Sequence, residues 1–384
     1  ASQRVDVYGD PIAAPSGKTV DKGILLETKN GKYSLKINKY ETSAVNASSS
    51  ALGGTWFIGT SQAWSANWVN RFEFNWTQDT NAGAVAVNDP TQSQYNYGQA
   101  PGESLEQAQA REASVIAAWR AWQARVNPKF YQAWGINLND PTKAVSANAP
   151  AGFAVTEDSV SKGYEFEFAA QPTHNWRISI NAAKTTAVRN NIGGAALSDF
   201  INSYQKALSN GAPGTAGDLR IWWGGSGNET ASYQWKANIG SEYAQRKLQE
   251  GTNVPELREW RFNAISNYDF DHGFLKGVNV GVGVRYESDI VIGYSPLMTH
   301  TADGDFVTFD LTNPYKGPSE TNFDFWVGYG RKISDKIDWR IQLNVRNAFV
   351  GNELIPVTTQ PDGSGAAYRI RPPQTWQITN TFRF

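Results

Sequence analysis

Apolar and polar side chains alternate along this chain with a period of two, and nowhere do they give way to the roughly 18 apolar residues a membrane helix needs. From Trp339 the odd positions are Trp339, Ile341, Leu343 and Val345, and the even ones are Arg340, Gln342, Asn344 and Arg346. Successive residues of a strand point to opposite faces, so such a segment is a strand with one greasy and one polar face. The pattern recurs at Trp176, Ile178 and Ile180 against Arg177, Ser179 and Asn181. Val278, Val280, Val282, Val284 and Tyr286 oppose Asn279, Gly281, Gly283, Arg285 and Glu287. Trp260 and Phe262 oppose Arg261 and Asn263, and Tyr164, Phe166 and Phe168 oppose Glu165 and Glu167. In the last segment Trp376, Ile378, Phe382 and Phe384 share a face that only Asn380 interrupts.

Nine strands are predicted, at 19–29, 32–42, 161–171, 176–189, 256–270, 278–293, 321–334, 337–350 and 374–384. Their connections alternate in length. Asn30-Gly31, Pro172–Asn175, Asp271–Gly277 and Ser334–Lys336 are tight, whereas 47–158 and 190–255 are long. Short turns at one end and long loops at the other is the arrangement of an outer-membrane β-barrel, with lipid outside and a wet lumen within. A soluble sandwich has no reason to sort its loops this way. Nine strands spaced about 4.8 Å apart and tilted about 40° would enclose a circle only roughly 18 Å across. Their odd number also forbids antiparallel closure. The expectation is therefore the C-terminal portion of one larger antiparallel transmembrane barrel. The stretch Arg71–Thr77, where Phe72, Phe74 and Trp76 alternate with Arg71, Glu73 and Asn75, reads as a loop hairpin, with a tenth strand as the alternative.

Composition narrows the class further. Thirty-five basic residues meet 36 acidic ones, which argues against a nucleic-acid binder held by a basic face. There is no Cys, so disulfides and thiolate metal sites are excluded. Residue 1 is Ala and the one Met is Met298, which reads as a processed product or a fragment. Mean hydropathy is −0.49, yet there are 15 Trp. Polar lumen and loops around a thin, aromatic-rimmed lipid face have this balance. Within the loops, Ser104 with Gln107 forms a capping-box pattern opening a helix over Leu105–Val126. Further helices are predicted over Ala195–Leu208 and Ser241–Glu250, with 47–60 and 211–232 read as irregular loop.

Several stretches resemble the C-terminal part of the barrel of a TonB-dependent outer-membrane receptor. Asn344–Phe349 resembles that family's penultimate strand, and Tyr368–Pro373 followed by Trp376 to Phe384 resembles its end. Leu257–Asn263, continuing to Tyr268–Phe270, Leu275–Gly277 and Gly281–Tyr286, is similar to the family as well, as is Ser161–Phe168 leading to Asn175-Trp176-Arg177. The likeness covers the strands and leaves the long loops unassigned. It implies a 22-stranded barrel with a plugged lumen, active import of a scarce solute such as a siderophore, cobalamin or glycan, and coupling to the TonB complex through a plug. No plug-like segment or energy-coupling box is present here, and residues 1–18 read as the tail of an extracellular loop.

Chemistry is sparse. His174, His272 and His300 fall in turns and loops without metal-ligand spacing, so no metal and no cofactor are expected. Asp303-Gly304-Asp305 reads as a solvated turn, with a Ca²⁺ contact as the sharper alternative. Glu165 and Glu167 could mimic a glycosidase pair, but Arg177, Arg261, Arg285, Arg340 and Arg346 share their interior face, so ionic lumen contacts are expected and no enzyme. Trp176, Trp260, Trp339, Trp376 and Phe384 fit membrane girdles, while Trp326 falls on the lumen parity. Ten Trp lie in loops: either they build small cores, or some, with Trp119, Trp122, Trp222 and Trp223 the candidates, form a platform for a small-molecule or oligomeric ligand. The functions left open are an active outer-membrane transporter, a passive porin, and a soluble Trp-rich carbohydrate-binding β protein.

Overall fold

The computed structural model describes residues 3–74, 102–141, 143–219, 221, 230–255, 257–301 and 304–384. One antiparallel sheet of nine strands dominates it. In spatial order these are β1 (Ser16–Glu27), β2 (Tyr33–Ser48), β3 (Thr156–Thr173), β4 (Trp176–Asn190), β5 (Trp260–Asp269), β6 (Val278–Glu287), β9 (Glu320–Ser334), β10 (Ile337–Ala348) and β13 (Thr375–Arg383). Two further hairpins, β7 (Ile290–Thr301) with β8 (Gly304–Gly317) and β11 (Leu354–Thr359) with β12 (Gly365–Ile370), stand apart as two-stranded sheets. The sheet is open: β1 and β13 are its edges and run in the same direction, so they cannot pair antiparallel with each other.

The alternation in sequence becomes continuous rows across the sheet. One runs Leu26, Leu35, Phe168, Ile180, Ala264, Val284 and Phe323. Another runs Trp176, Tyr268, Val280, Val327, Leu343 and Ile378. The opposite face carries the row Lys36, Glu167, Asn181, Asn263, Arg285 and Asn322. Nothing among the described residues packs a second large sheet on the apolar rows, and Ile24, Leu26, Val327, Trp376 and Ile378 stay exposed. Asn380, the one polar residue in the last strand's apolar row, accepts a bond from the Trp339 indole at 3.4 Å.

Two close approaches on the polar face explain two of its glycines and two of its aromatics. A Cβ on Gly281 would sit 2.0 Å from the Trp326 ring, which lies across it and donates to Asn267 Oδ1 at 2.9 Å. A Cβ on Gly163 would meet the Tyr40 ring at 2.9 Å, and the Tyr40 hydroxyl bonds Thr185 at 2.8 Å. Large ring beside missing side chain is how the sheet accommodates a Trp on its polar side.

The main cluster of buried hydrophobic residues lies outside this sheet. The described parts of the connections 49–155 and 191–259 fold together into one helical unit at the long-loop end, with α1 (Phe57–Phe74), α2 (Leu105–Gln123), α3 (Pro128–Ala133), α4 (Gly194–Leu208), α5 (Ala231–Trp235) and α6 (Ser241–Leu248). A π turn over Lys236–Gly240 joins the last two. α2 begins with the expected capping box, both of its reciprocal bonds formed. Asn127 caps α3, with Pro128 in its first turn. Aromatic rings hold the helices together: Phe130 stacks on Phe200 at 4.5 Å, Trp122 meets Tyr204 at 5.2 Å, and Tyr204 meets Trp235 edge-on at 4.8 Å. The segment before β1 joins them, Trp134 donating to the Val7 carbonyl at 2.9 Å.

Residues 71–74, read as hairpin or strand, close helix α1, and 75–77 lie outside the described residues. Residues 54–60, read as loop, are a 3₁₀ turn running into that helix. The strand expected at 278–293 breaks at Ser288, whose hydroxyl takes the Trp260 N–H and whose carbonyl is taken by Arg258, so the chain leaves the sheet to start β7. No helix of the described residues is long and apolar enough to cross a membrane.

Candidate functional site

The candidate functional surface comprises the polar face of the sheet and the structures standing on its long-loop end. The tight turns 28–32, 174–175, 270–277 and 335–336 mark one end, and the helical unit and both extra hairpins mark the other.

The polar residues expected to share a face do so by register. Glu167 pairs with Lys36 at 3.3 Å, a partner the sequence reading did not name. Arg261 lies 3.7 Å from Glu287, and Arg285 bonds Asp324 at 3.2 Å and Asn347 Oδ1 at 2.9 Å. Glu165, Arg177, Arg340 and Arg346 occupy the same face of β3, β4 and β10. Asn347 adopts a left-handed backbone (φ 50°) at a bulge in β10, and its N–H is held by Asp324 Oδ1 at 2.9 Å. Asn tolerates this region better than most residues, which accounts for that residue in Asn344–Phe349.

A buried ionic knot at the loop-end rim was missed by sequence reasoning. Arg258, nearly sealed, bonds Glu320, the Ser288 carbonyl and, at 3.2 Å, the Pro318 carbonyl. Arg369 reaches the same Glu320, and Arg371 bonds the Thr321 carbonyl at 2.6 Å and Glu353 at 2.7 Å. Three guanidinium groups thus tie both hairpins to β5, β6 and β9. A buried pair of this kind is unforgiving of losing one partner. Its signal was present: Leu257-Arg258 and Tyr368-Arg369-Ile370-Arg371 stand in the stretches that carry the family resemblance, but ion-pair partners many residues apart leave no local pattern.

Of the four candidate tryptophans, the two described ones form no platform. Trp119 and Trp122 are buried in the helical core, Trp122 donating to Gln62 Oε1 at 3.1 Å, so they hold helices together and offer no surface to a ligand. Trp222 and Trp223 lie outside the described residues. Trp68, Trp134 and Trp235 are buried in the same core. Trp176 and Trp339 stand at the tight-turn end of β4 and β10, Trp260 and Trp376 at the loop end of β5 and β13, and Phe384 follows β13 at the tight-turn end. All four indoles project on the apolar parity.

Among the described residues no three His, Cys, Asp or Glu side chains gather as metal ligands. His174 and His272 both bond the Asp271 carboxylate in the tight turns, and these bonds, that of His272 first, hold its pKa below the usual range. Asp303 lies outside the described residues, and Asp305 pairs with His300 at 2.9 Å. In the helical unit, Glu112 is sealed among helices. Burial pushes its pKa up to about 7, outweighing Arg111 at 2.6 Å.

No protein-family model and no curated protein matches the sequence. Solved structures do match in outline. The ferripyoverdine receptor of the outer membrane of Pseudomonas aeruginosa is 12% identical, with 100% of this chain and 29% of that one covered and a TM-score of 0.43. BauA, the ferric preacinetobactin receptor of Acinetobacter baumannii, is 9% identical, with 100% and 32% covered and a TM-score of 0.44. FyuA, the ferric yersiniabactin uptake receptor of Yersinia pestis, is 10% identical, with 97% and 30% covered and a TM-score of 0.40. The chain spans about a third or less of the length of these proteins.

Proposed function

We propose that this chain forms an arc of wall and the loop-end cap of an outer-membrane transporter of the TonB-dependent kind, which imports a scarce solute. The observation that carries the reading is the pairing of two properties in one sheet. Its apolar rows together span the nine strands without a second large sheet over them among the described residues, and every connection at one end is tight while every connection at the other is elaborate. Lipid against the apolar rows and water against the polar rows satisfies both faces at once. The same rows in water would expose a contiguous greasy band far beyond what a soluble monomer tolerates. With nine strands and two open edges, the arc closes only with further strands, and the plug that couples to TonB in the resembled family would be supplied with them.

The helical unit favours capture over passive flow, since a folded cap with its own aromatic core is more than a pore mouth requires. The localisation test is fractionation. The intact protein should sediment with outer membranes, need detergent for release, and change electrophoretic mobility on heating in SDS. Recovery as a soluble protein without detergent overturns the membrane reading. Planar-bilayer recording separates the transporters: a steady open conductance without any partner would instead make it a porin.

A further inference from the structure

The helical unit holds most of its cations by named partners. Arg111 pairs with Glu103 and Glu112, Arg120 with Glu73, Lys129 with Asp10, Lys143 with Asp140, and Lys247 with Glu250. Lys236 bonds Asn210, and Arg246 bonds the Ala51 carbonyl and Gln249. Two differ: Arg125 donates only through Nε, to the Ala121 carbonyl at 3.1 Å, and Lys206 has no side-chain partner among the described residues. Both line one cleft of about 550 Å³ between α2 and α4, and no carboxylate stands among the described residues that line it.

From these observations we infer that the cleft is a binding site for a small polyhydroxylated anion, a sugar carrying a phosphate. Its floor is made of short side chains, Ala118, Ala121 and Ala207, which leave room for a ring without offering an aromatic to stack on. Hydroxyls supply the rest. Ser209 and Thr215 spend their protons on the Lys206 and Ala212 carbonyls, at 3.1 and 2.6 Å, so their oxygens are left as acceptors for ligand hydroxyls. The two cations provide charge-assisted bonds to the anionic group. Ser209, which lines one wall, holds a left-handed backbone at the end of α4, φ 45°. Cations near helix C-termini also favour the dipole, which explains the sign of Arg125 and Lys206 but not their shared cleft. The inference stands on the helical unit alone and does not need the transport reading.

The test is calorimetric titration of the intact protein in detergent with glucose 6-phosphate, with glucose as the uncharged control. Detergent micelles carrying the phosphorylated lipid A headgroup form a second arm. The expected result is binding in one arm, none of glucose, and weakening as salt rises. The double variant Arg125→Gln, Lys206→Gln should bind at least roughly tenfold more weakly. Ala121→Tyr, which fills the cleft and keeps both charges, should also lose binding. Saturation in the free-sugar arm names a solute, and saturation only in the micelle arm names the lipid headgroup. Failure of both probes to bind, or binding that survives both variants, overturns the site.

Discussion

Placing Arg at Leu343 separates a lipid-facing sheet from a water-facing one. Leu343 is the seventh of the 12 residues of β10, with Val327 and Ile378 beside it in register and Ile341 and Val345 on its own face. Twelve residues rising about 3.4 Å each and tilted about 40° span roughly 30 Å, the thickness of a hydrocarbon core, so Leu343 sits near the midplane. Arg there should cost about 2–4 kcal/mol, or roughly 30- to 900-fold in the folded population. Gln342→Arg, one residue away on the polar face between Gly328 and Thr379, should cost under about 1 kcal/mol. Leu343 is only half-buried by protein, so little of the difference comes from a lost protein contact. The assay is urea unfolding of the intact protein in lipid vesicles, followed by tryptophan fluorescence and by heat-dependent gel mobility. Were the apolar rows bathed in water, both changes would stay within about 0.5 kcal/mol, as surface substitutions do. Equal midpoints for the two variants would therefore refute the assignment of faces.

Two more outcomes follow from the geometry. Gly281→Val drives a side chain into the Trp326 ring, which its bond to Asn267 holds in place, and overpacking of this kind should lower stability by about 1–3 kcal/mol. Gly283→Ala, with its nearest neighbour 3.7 Å away, should be mild in the same urea titration, and parity between the two would show that the ring swings freely. Glu112 has a folded-state pKa raised from 4.5 to about 7, so the folded unit binds the extra proton. Stability is then greatest below pH 4.5 and is lost as pH rises through 7, by a contribution of order 3 kcal/mol. Thermal unfolding of the wild type should move upward between pH 7.5 and 5 by more than that of Glu112→Gln, and identical pH dependence in the two would dismiss Glu112 as the source.

What the sequence made legible was what a strand's own period encodes. The nine sheet strands, the sorting of their connections and the parity of Trp176, Trp339 and Arg285 follow from alternation, because each residue's face depends only on its immediate neighbours. The capping box at Ser104 was legible for the same local reason. Helix α1 was not. Its Trp, Phe, Asn and Ser residues include weak helix formers, and the alternation of Phe72 and Phe74 imitates a strand; burial of Trp68 and Val69 in a shared core overrides both. The hairpin of β11 and β12 did carry a signal, since Pro361-Asp362-Gly363 is turn chemistry, with Ser364 bonded to Asp362 at 2.9 Å. It was lost because a short exposed ladder has no buried face to impose a strong pattern.

The same contrast locates the specificity of this chain. A bilayer asks only that outward positions be greasy, so many sequences satisfy the sheet and its residues say where the protein sits more than what it handles. The helical unit is different in kind: its rings meet in pairs such as Phe130 with Phe200, drawn from loops about 70 positions apart in sequence. It is also fastened to the sheet. Phe306, buried near the tip of the hairpin of β7 and β8, lies under the Lys236 ammonium at 5.6 Å and close to Gly240, and Asn210 bonds both Lys236 and the Asp305 N–H. That hairpin continues directly from β6 and into β9. A ligand that shifts the Ser209-Asn210 turn therefore acts on a contact only one hairpin removed from the barrel wall, which gives the cap a physical route to the strands that a detached binding domain would lack.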